Sequence, residues 1–213
     1  DLYEVYVNPG GGVYTDTLGN RWLADRAYSS GSWGYIGGTA GTWAYPIAGT
    51  DDDPLYQTIR WWSSVTGTYR FDNAPPGVYE VDLRFAELTQ NSWGRREFDV
   101  EIGGVKYLSH MDIWSAAGAN TTYDWTFVIT HTSGPLIVNF IPHQGSNPSG
   151  STNTALINGL HLRQLESYNP PPSGPYPRIG IGVNWAWGDV YNYDVAQLHL
   201  GWYATWSLRL TVP

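Results

Sequence analysis

Three consecutive carboxylates, Asp51, Asp52 and Asp53, precede Pro54 and an alternating run that ends in Trp61 and Trp62. A carboxylate cluster can cradle a hard cation. Ca²⁺, however, takes roughly six to eight oxygens from several segments, and the EF-hand spacing D-x-D-x-D-G does not occur here. The first reading is therefore structural. Aspartates at a loop-to-strand junction bond nearby backbone amides, and Pro54 asks its predecessor for an extended backbone. A structural Ca²⁺ held by Asp51, Asp52 and Asp53 is the weaker alternative, and no other cofactor is implied.

A catalytic pair of carboxylates is the second chemistry to weigh. Glycoside hydrolysis needs two carboxyl groups roughly 5 to 10 Å apart, and Glu87, Asp99 and Asp112 are the acids that a fold could gather on one rim. The alternation around Asp99 sets it on the polar face of its strand, where an acid is expected in water or paired with an arginine such as Arg84, Arg95 or Arg96. The five histidines, His110, His131, His143, His161 and His199, are scattered without an H-x-H or H-E-x-x-H spacing. Each reads as a structural or surface residue rather than a metal ligand. No G-x-S-x-G elbow or phosphate-binding loop occurs. The expectation is binding without catalysis.

The aromatic residues carry the third chemistry. Twelve Trp and 16 Tyr stand beside only 5 Phe. A dry core favours the ring without a polar handle, whereas indoles and phenols suit half-wet surfaces. Pyranose faces are lined with C–H bonds that a flat ring can cover while amides and carboxylates read the hydroxyls at its edge. The stretch "SSGSWGYIGGTAGTWAY" puts Trp33, Tyr35, Trp43 and Tyr45 in a small-residue loop, and "TQNSWGRR" puts Trp93 beside Gln90, Asn91 and Arg95. The competing reading has these rings plugging the ends of a sheet sandwich. On the ligand reading the partner is an oligo- or polysaccharide, and the aspartate triplet acquires a third role, against sugar hydroxyls.

Strands must position these groups. In "GVYEVDLRFAE", Tyr79, Val81, Leu83 and Phe85 alternate with Glu80, Asp82 and Arg84, the period of a sheet with one buried face. "EFDVEIGGVKYL" turns Phe98, Val100 and Ile102 inward and then reverses at Gly103 and Gly104, a pair suited to a two-residue hairpin. "TYDWTFVITH" sets Tyr123, Trp125, Phe127 and Ile129 on one face, and "PLIVNFI", "ALINGLHLRQL" and runs near 2–8, 55–61 and 66–71 complete the set. About eight to ten strands, separated by Gly, Pro, Asn and Asp turns, predict an all-β, antiparallel two-sheet jelly-roll sandwich. Residues 9–54 are glycine-rich with little clean periodicity, and a connection that long is usually functional.

Composition bounds the partners. At 213 residues the chain can bury roughly two thirds of its unfolded surface without crosslinks, and it has no cysteine to make one. A formal net charge of −8 sets the wrong field for a phosphate backbone, so nucleic acid is not an expected partner. No run approaches the roughly 20 apolar residues of a membrane helix, so membrane insertion is not expected either. Asp1 in place of Met is expected of a processed or excised chain that has lost any signal peptide.

Four blocks in order, "VNPGGGVYTDTLGNRWLAD", "GTDDDPLYQTIRW", "LRFAELTQNSWGRREFDVEIGG" and "HMDIWSAAGANT", resemble the malectin domain across residues 5–165. The resemblance rests on Asn8-Pro9-Gly10-Gly11, Leu55-Tyr56-Gln57-Thr58, Phe85-Ala86-Glu87 with Phe98-Asp99-Val100, and Met111-Asp112-Ile113. It implies a galactose-binding-like sandwich that holds sugar without catalysis, through aromatics on loops at one end. It also implies that Trp22 stands for one ligand-contacting tyrosine and that Trp33 or Tyr35 stands for a second. The family's Tyr-Phe pair is replaced by Thr89 and Gln90, with Trp93 nearby, and its ligand-binding aspartate falls at Thr152 and Asn153. The glucose-disaccharide preference of animal malectin therefore does not transfer. Trp22, Trp33, Tyr35, Trp43, Gln90, Trp93 and Asn153 form the predicted carbohydrate-binding set, and the expected location is extracellular or at the cell surface.

The sandwich is expected to occupy residues 1–166. "SYNPPPSGPYPR", residues 167–178, reads as a proline-rich linker. The remaining residues 179–213 are too few for a core of their own. They are expected to pack on the sandwich, to begin a further domain, or to pair with a neighbouring chain's sheet edge. The last option would give a homo-oligomer or filament through Trp202 and Trp206, and makes a structural or adhesion subunit the rival function.

Overall fold

A computed structural model describes residues 2–168 of the chain; Ser167, expected to open the linker at 167–178, instead ends the last strand, and the rest of that linker and the tail expected at 179–213 lie outside the described residues. The strands, in chain order, are β1 (Glu4–Asn8), β2 (Tyr14–Thr15), β3 (Arg21–Ala24), β4 (Trp33–Ile36) and β5 (Thr39–Thr42). A four-residue helix, α1 (Asp53–Tyr56), leads into β6 (Thr58–Ser63), β7 (Gly67–Phe71), β8 (Gly77–Arg84), β9 (Glu97–Ile102) and β10 (Val105–Met111). A second short helix, α2 (Ile113–Ala117), precedes β11 (Trp125–His131), β12 (Leu136–His143), β13 (Thr154–Ile157) and β14 (Gly159–Ser167).

They assemble into a six-stranded sheet ordered β11-β8-β14-β1-β3-β2, a five-stranded sheet ordered β10-β9-β12-β7-β4, and a small sheet ordered β13-β6-β5. The all-β sandwich expected from the alternation is what forms, with one parallel pairing, β1 with β3, among antiparallel neighbours. The inward rows of the two large sheets meet in one core. Tyr79, Val81 and Leu83 of β8 and Leu160 and Leu162 of β14 face it from one side. Phe98 and Val100 of β9 and Val138 and Phe140 of β12 face it from the other. Rings bridge the layers: Phe85 lies 5.9 Å from Phe98 and 6.4 Å from Phe140, and Trp62 stacks on Phe140 at 5.6 Å.

The predicted β9–β10 hairpin closes through Gly103 and Gly104, whose φ values of +59° and +81° are those a primed two-residue turn requires. Three other expectations are corrected. Residues 9–54 are not a long connection: β2, β3, β4 and β5 lie there, and short strands of two to four residues leave too little sequence for a period to show. The run at 55–61 begins as helix α1, because Pro54 sits in a first helical turn, where its missing N–H costs nothing. "ALINGLHLRQL" is two strands in two sheets. Fully buried Asn158 breaks it, accepting from the Ala86 amide at 2.8 Å and donating to the Tyr56 carbonyl at 2.7 Å.

Candidate binding site

Two of the predicted sugar-stacking tryptophans are core residues. Trp22 is fully buried: its indole N–H donates to Asp16 at 3.0 Å, Tyr6 packs edge-on at 5.1 Å, and the Arg84 guanidinium covers a ring at 5.0 Å. Trp33 is 4% exposed, stacked on Phe71 on one side with the Arg26 guanidinium 4.0 Å from its ring on the other. Neither offers a face to a ligand. Half-buried Tyr35 has the Arg60 guanidinium 3.2 Å from its ring centre and Tyr69 against its edge. Half-buried Trp43 folds back over Gly41, where an added Cβ would come within 2.5 Å of the indole.

The motif block Asn8-Pro9-Gly10 is also structural. Gly10, at φ +72°, passes so close to β6 that a Cβ would lie 2.0 Å from the Ile59 carbonyl oxygen. Its amide donates to Asp25 at 2.6 Å, and the buried side chain of Asp25 also takes Arg60 at 2.6 Å and the Tyr69 hydroxyl at 2.8 Å. Nor is the aspartate triplet gathered around a point. Asp52 accepts from the Tyr14 hydroxyl and the Thr17 amide, both at 2.8 Å, fastening α1 to the β2–β3 turn rather than capping neighbouring amides. Asp51 is exposed.

The three acids weighed for catalysis are each engaged. Glu87 is buried against Arg96, with both carboxylate oxygens 2.8 Å from Nη1, and it accepts the Thr89 and Gln90 amides. Burial pushes the Arg96 guanidinium below its ordinary pKa, opposed by that carboxylate. Asp112 caps α2 through the Ser115 amide at 3.0 Å and accepts the Gly94 amide with its other oxygen. Asp99, expected in water or beside an arginine, is instead 2% exposed, bonded to Lys106 and to the His110 amide with His143 close by. Burial opposes its charge, but these partners outweigh it and hold the carboxyl at about 2.

At the end of the sandwich marked by Arg84 and Trp125, the surface opens into a depression of about 370 Å³ between β10, α2 and the start of β11. Trp125, 36% exposed, and Tyr123 form an aromatic corner, with ring centres 5.7 Å apart and planes at 89°. Phe127 lies parallel beyond Trp125 at 6.0 Å, and Tyr107 closes the row at 4.8 Å from Phe127. Ser109, His110, Asp112 and Ser115 supply polar groups around the corner. The alternation in the sequence set Tyr123 and Trp125 on one face with Phe127 and Ile129. The pairing shows β11 to be the edge of its sheet, so the first residues of that face overhang the core. The preference for Trp and Tyr over Leu and Val at those two positions was the available signal.

The loop from Glu87 to Arg96 stands beside this depression, because the Gly94 amide is tied to Asp112 in the wall. Trp93 is 52% exposed on that loop, its carbonyl held by Asn147 at 2.6 Å, and half-buried Gln90 precedes it. Asn153 is half-buried with its side-chain oxygen sealed from water and unpartnered. Of the predicted set, the structure leaves Trp93 with an open ring.

The class defined so far is a β-sandwich module with an aromatic, polar-rimmed depression at one end. The malectin domain profile matches residues 3–160, and the chain belongs to that family, a non-catalytic domain with a carbohydrate-binding-like fold. Among solved structures, a β-glucuronidase of Bacteroides uniformis is similar at 32% identity and a TM-score of 0.66, covering 76% of this chain and 18% of that one. The extracellular domain of ANXUR2 from Arabidopsis thaliana shares the fold at 17% identity and a TM-score of 0.64, covering 79% and 52%. The kinesin-like protein KIN-14E of Oryza sativa subsp. japonica is 26% identical over 152 residues, 67% of this chain and 13% of its own length. The chain thus corresponds to a minor part of the glucuronidase and of the kinesin-like protein. No helix among the described residues is long and apolar enough to cross a membrane.

Proposed function

We propose that this chain is a carbohydrate-binding module that holds an oligo- or polysaccharide non-covalently in the depression walled by Trp125 and Tyr123. The observation that carries the reading is the corner itself: two rings at right angles, one more than a third exposed, with hydroxyl, imidazole and carboxylate groups on its rim. A pyranose presents a C–H face to one ring and equatorial hydroxyls to the rim. The volume lies in the roughly 300–1,000 Å³ range of small-ligand sites. Gln90 and Trp93 would extend the contact to a second sugar unit, a reading supported by the tie between their loop and Asp112. The module acts outside the cell or at its surface, joined to other domains; the likeness to the ANXUR2 extracellular domain and to a minor part of the Bacteroides uniformis β-glucuronidase supports this reading.

The test is a glycan array on the full chain, followed by calorimetric titration of the best ligand into Trp125→Ala. Loss of a stacked anchor is expected to weaken binding by about 2 kcal/mol, roughly thirtyfold. Unchanged affinity in Trp125→Ala would move the sugar to another surface.

A further inference from the structure

A second cluster of chemistry-bearing side chains lies on the outer face of the five-stranded sheet, where β9, β10 and β12 run side by side. Asp99 projects from β9 on the side opposite Phe98 and Val100, pairing across to Ile141 of β12. His143 ends β12. His110 sits in the irregular stretch of β10 between Leu108 and Met111, at a left-handed φ of +47° that a non-glycine residue rarely adopts. One ligand atom from each of the three comes within 4.8 Å of the others. Histidines 33 positions apart along the chain thus meet in space with rings stacked at 4.2 Å.

Two details separate this arrangement from an ordinary ion pair. His143 Nε2 lies 2.9 Å from Asp99 Oδ1 yet is not aligned to hydrogen-bond it, and the nitrogen is buried with no partner. A ring nitrogen and a carboxylate oxygen this close but off the line of a hydrogen bond are disposed as two ligands of one ion are. A buried nitrogen left unpaired is a desolvation cost that a cation would remove. Around them stand orienting groups. Lys106 takes the other Asp99 oxygen, the His110 amide donates to Oδ1 at 2.8 Å, and Glu97 Oε2 lies 3.5 Å from His110 Nδ1. A carboxylate against the second nitrogen of a histidine is the usual support of a metal-bound imidazole.

We propose that Asp99, His110 and His143 bind one divalent transition-metal ion of the zinc class. Two imidazoles and one carboxylate suit Zn²⁺, Co²⁺ or Ni²⁺, whereas Ca²⁺ and Mg²⁺ need oxygen-rich shells that one carboxylate does not provide. Such a three-ligand set leaves a coordination position for water. His110 also lines the Trp125 depression, so the ion would stand at its margin, although the metal site does not depend on the sugar reading.

The test uses the full chain, freed of metal by chelator, titrated calorimetrically with ZnCl2 alone and examined with Co²⁺ for the visible absorption of a low-symmetry nitrogen–oxygen site. One ion per chain is expected, with affinity lowered at least about tenfold in His110→Ala and in His143→Ala. His110 is largely solvent-exposed, so its variant keeps the test open if the His143 variant folds poorly. Absence of Zn²⁺ binding at about a hundred micromolar free metal, where a three-ligand site is saturated, overturns the proposal. So does binding unaffected by both substitutions, which would assign the ion to other residues.

Discussion

Trp22 and Trp125 carry the same side chain into opposite surroundings. Trp22 has its N–H satisfied by Asp16 and its faces covered, so Trp22→Ala should cost about 3–5 kcal/mol in denaturant unfolding. Trp125→Ala should cost far less in unfolding and show its main effect in sugar titrations. The reverse ranking would exchange their roles. Sequence could not separate them, since burial of a tryptophan depends on which strand ends a sheet and on partners such as Arg26 and Arg84, remote in sequence or set by the fold. Asp72 gives a pH-dependent prediction at the same scale. Bonds from the Tyr28 hydroxyl at 2.6 Å, Arg70 at 2.7 Å and the Gly31 amide at 2.9 Å depress its pKa to about 2. A depressed carboxyl stabilises the fold above its unfolded pKa, near 4, and that contribution vanishes as pH falls toward 2. Thermal unfolding of Asp72→Asn should therefore lose part of the wild-type decline between pH 4 and 2, while equal acid limbs in the two proteins would remove Asp72 from the balance.

Glycines show how elements are held. Gly104→Ala introduces a Cβ into open space at φ +81° and should cost about 1–2 kcal/mol, the penalty of the left-handed region alone. Gly10→Ala meets the same penalty plus a collision with the Ile59 carbonyl, so it should be clearly the more damaging in urea unfolding. Comparable losses would mean that β6 can recede from the Asn8–Gly12 turn. β8, β9 and the hairpin between β9 and β10 were legible because each strand alternates over six or eight residues against a fully buried face. β2 to β5 were not, because strands this short hold at most two buried residues and some hold none, and α1 was hidden by a proline that reads equally well as a turn. The His110–His143 meeting was invisible for a different reason: it is set by the pairing of β9 with both β10 and β12, which no local spacing encodes.

At the scale of the whole described unit, the register separates two poles. Gly77, His131 and Ser167 pair at one of them, while Arg84, Trp125 and Gly159 mark the other. Tyr3 exchanges hydrogen bonds with Gln164, and the Tyr168 amide donates to Pro76, so the first and last described residues both belong to the Gly77 pole. A small reporter domain inserted after Ser133, in the exposed turn of that pole, should leave sugar affinity unchanged. The same insertion after Gly118, next to the α2 wall of the depression, should abolish it. Equal effects at both places would dissociate the ligand from the Trp125 end. The two ends of the described unit thus share a single socket, like the two pins of a plug. A host can carry this unit between two of its own segments or at one extremity, since residues 2 and 168 both lie at the pole opposite the depression.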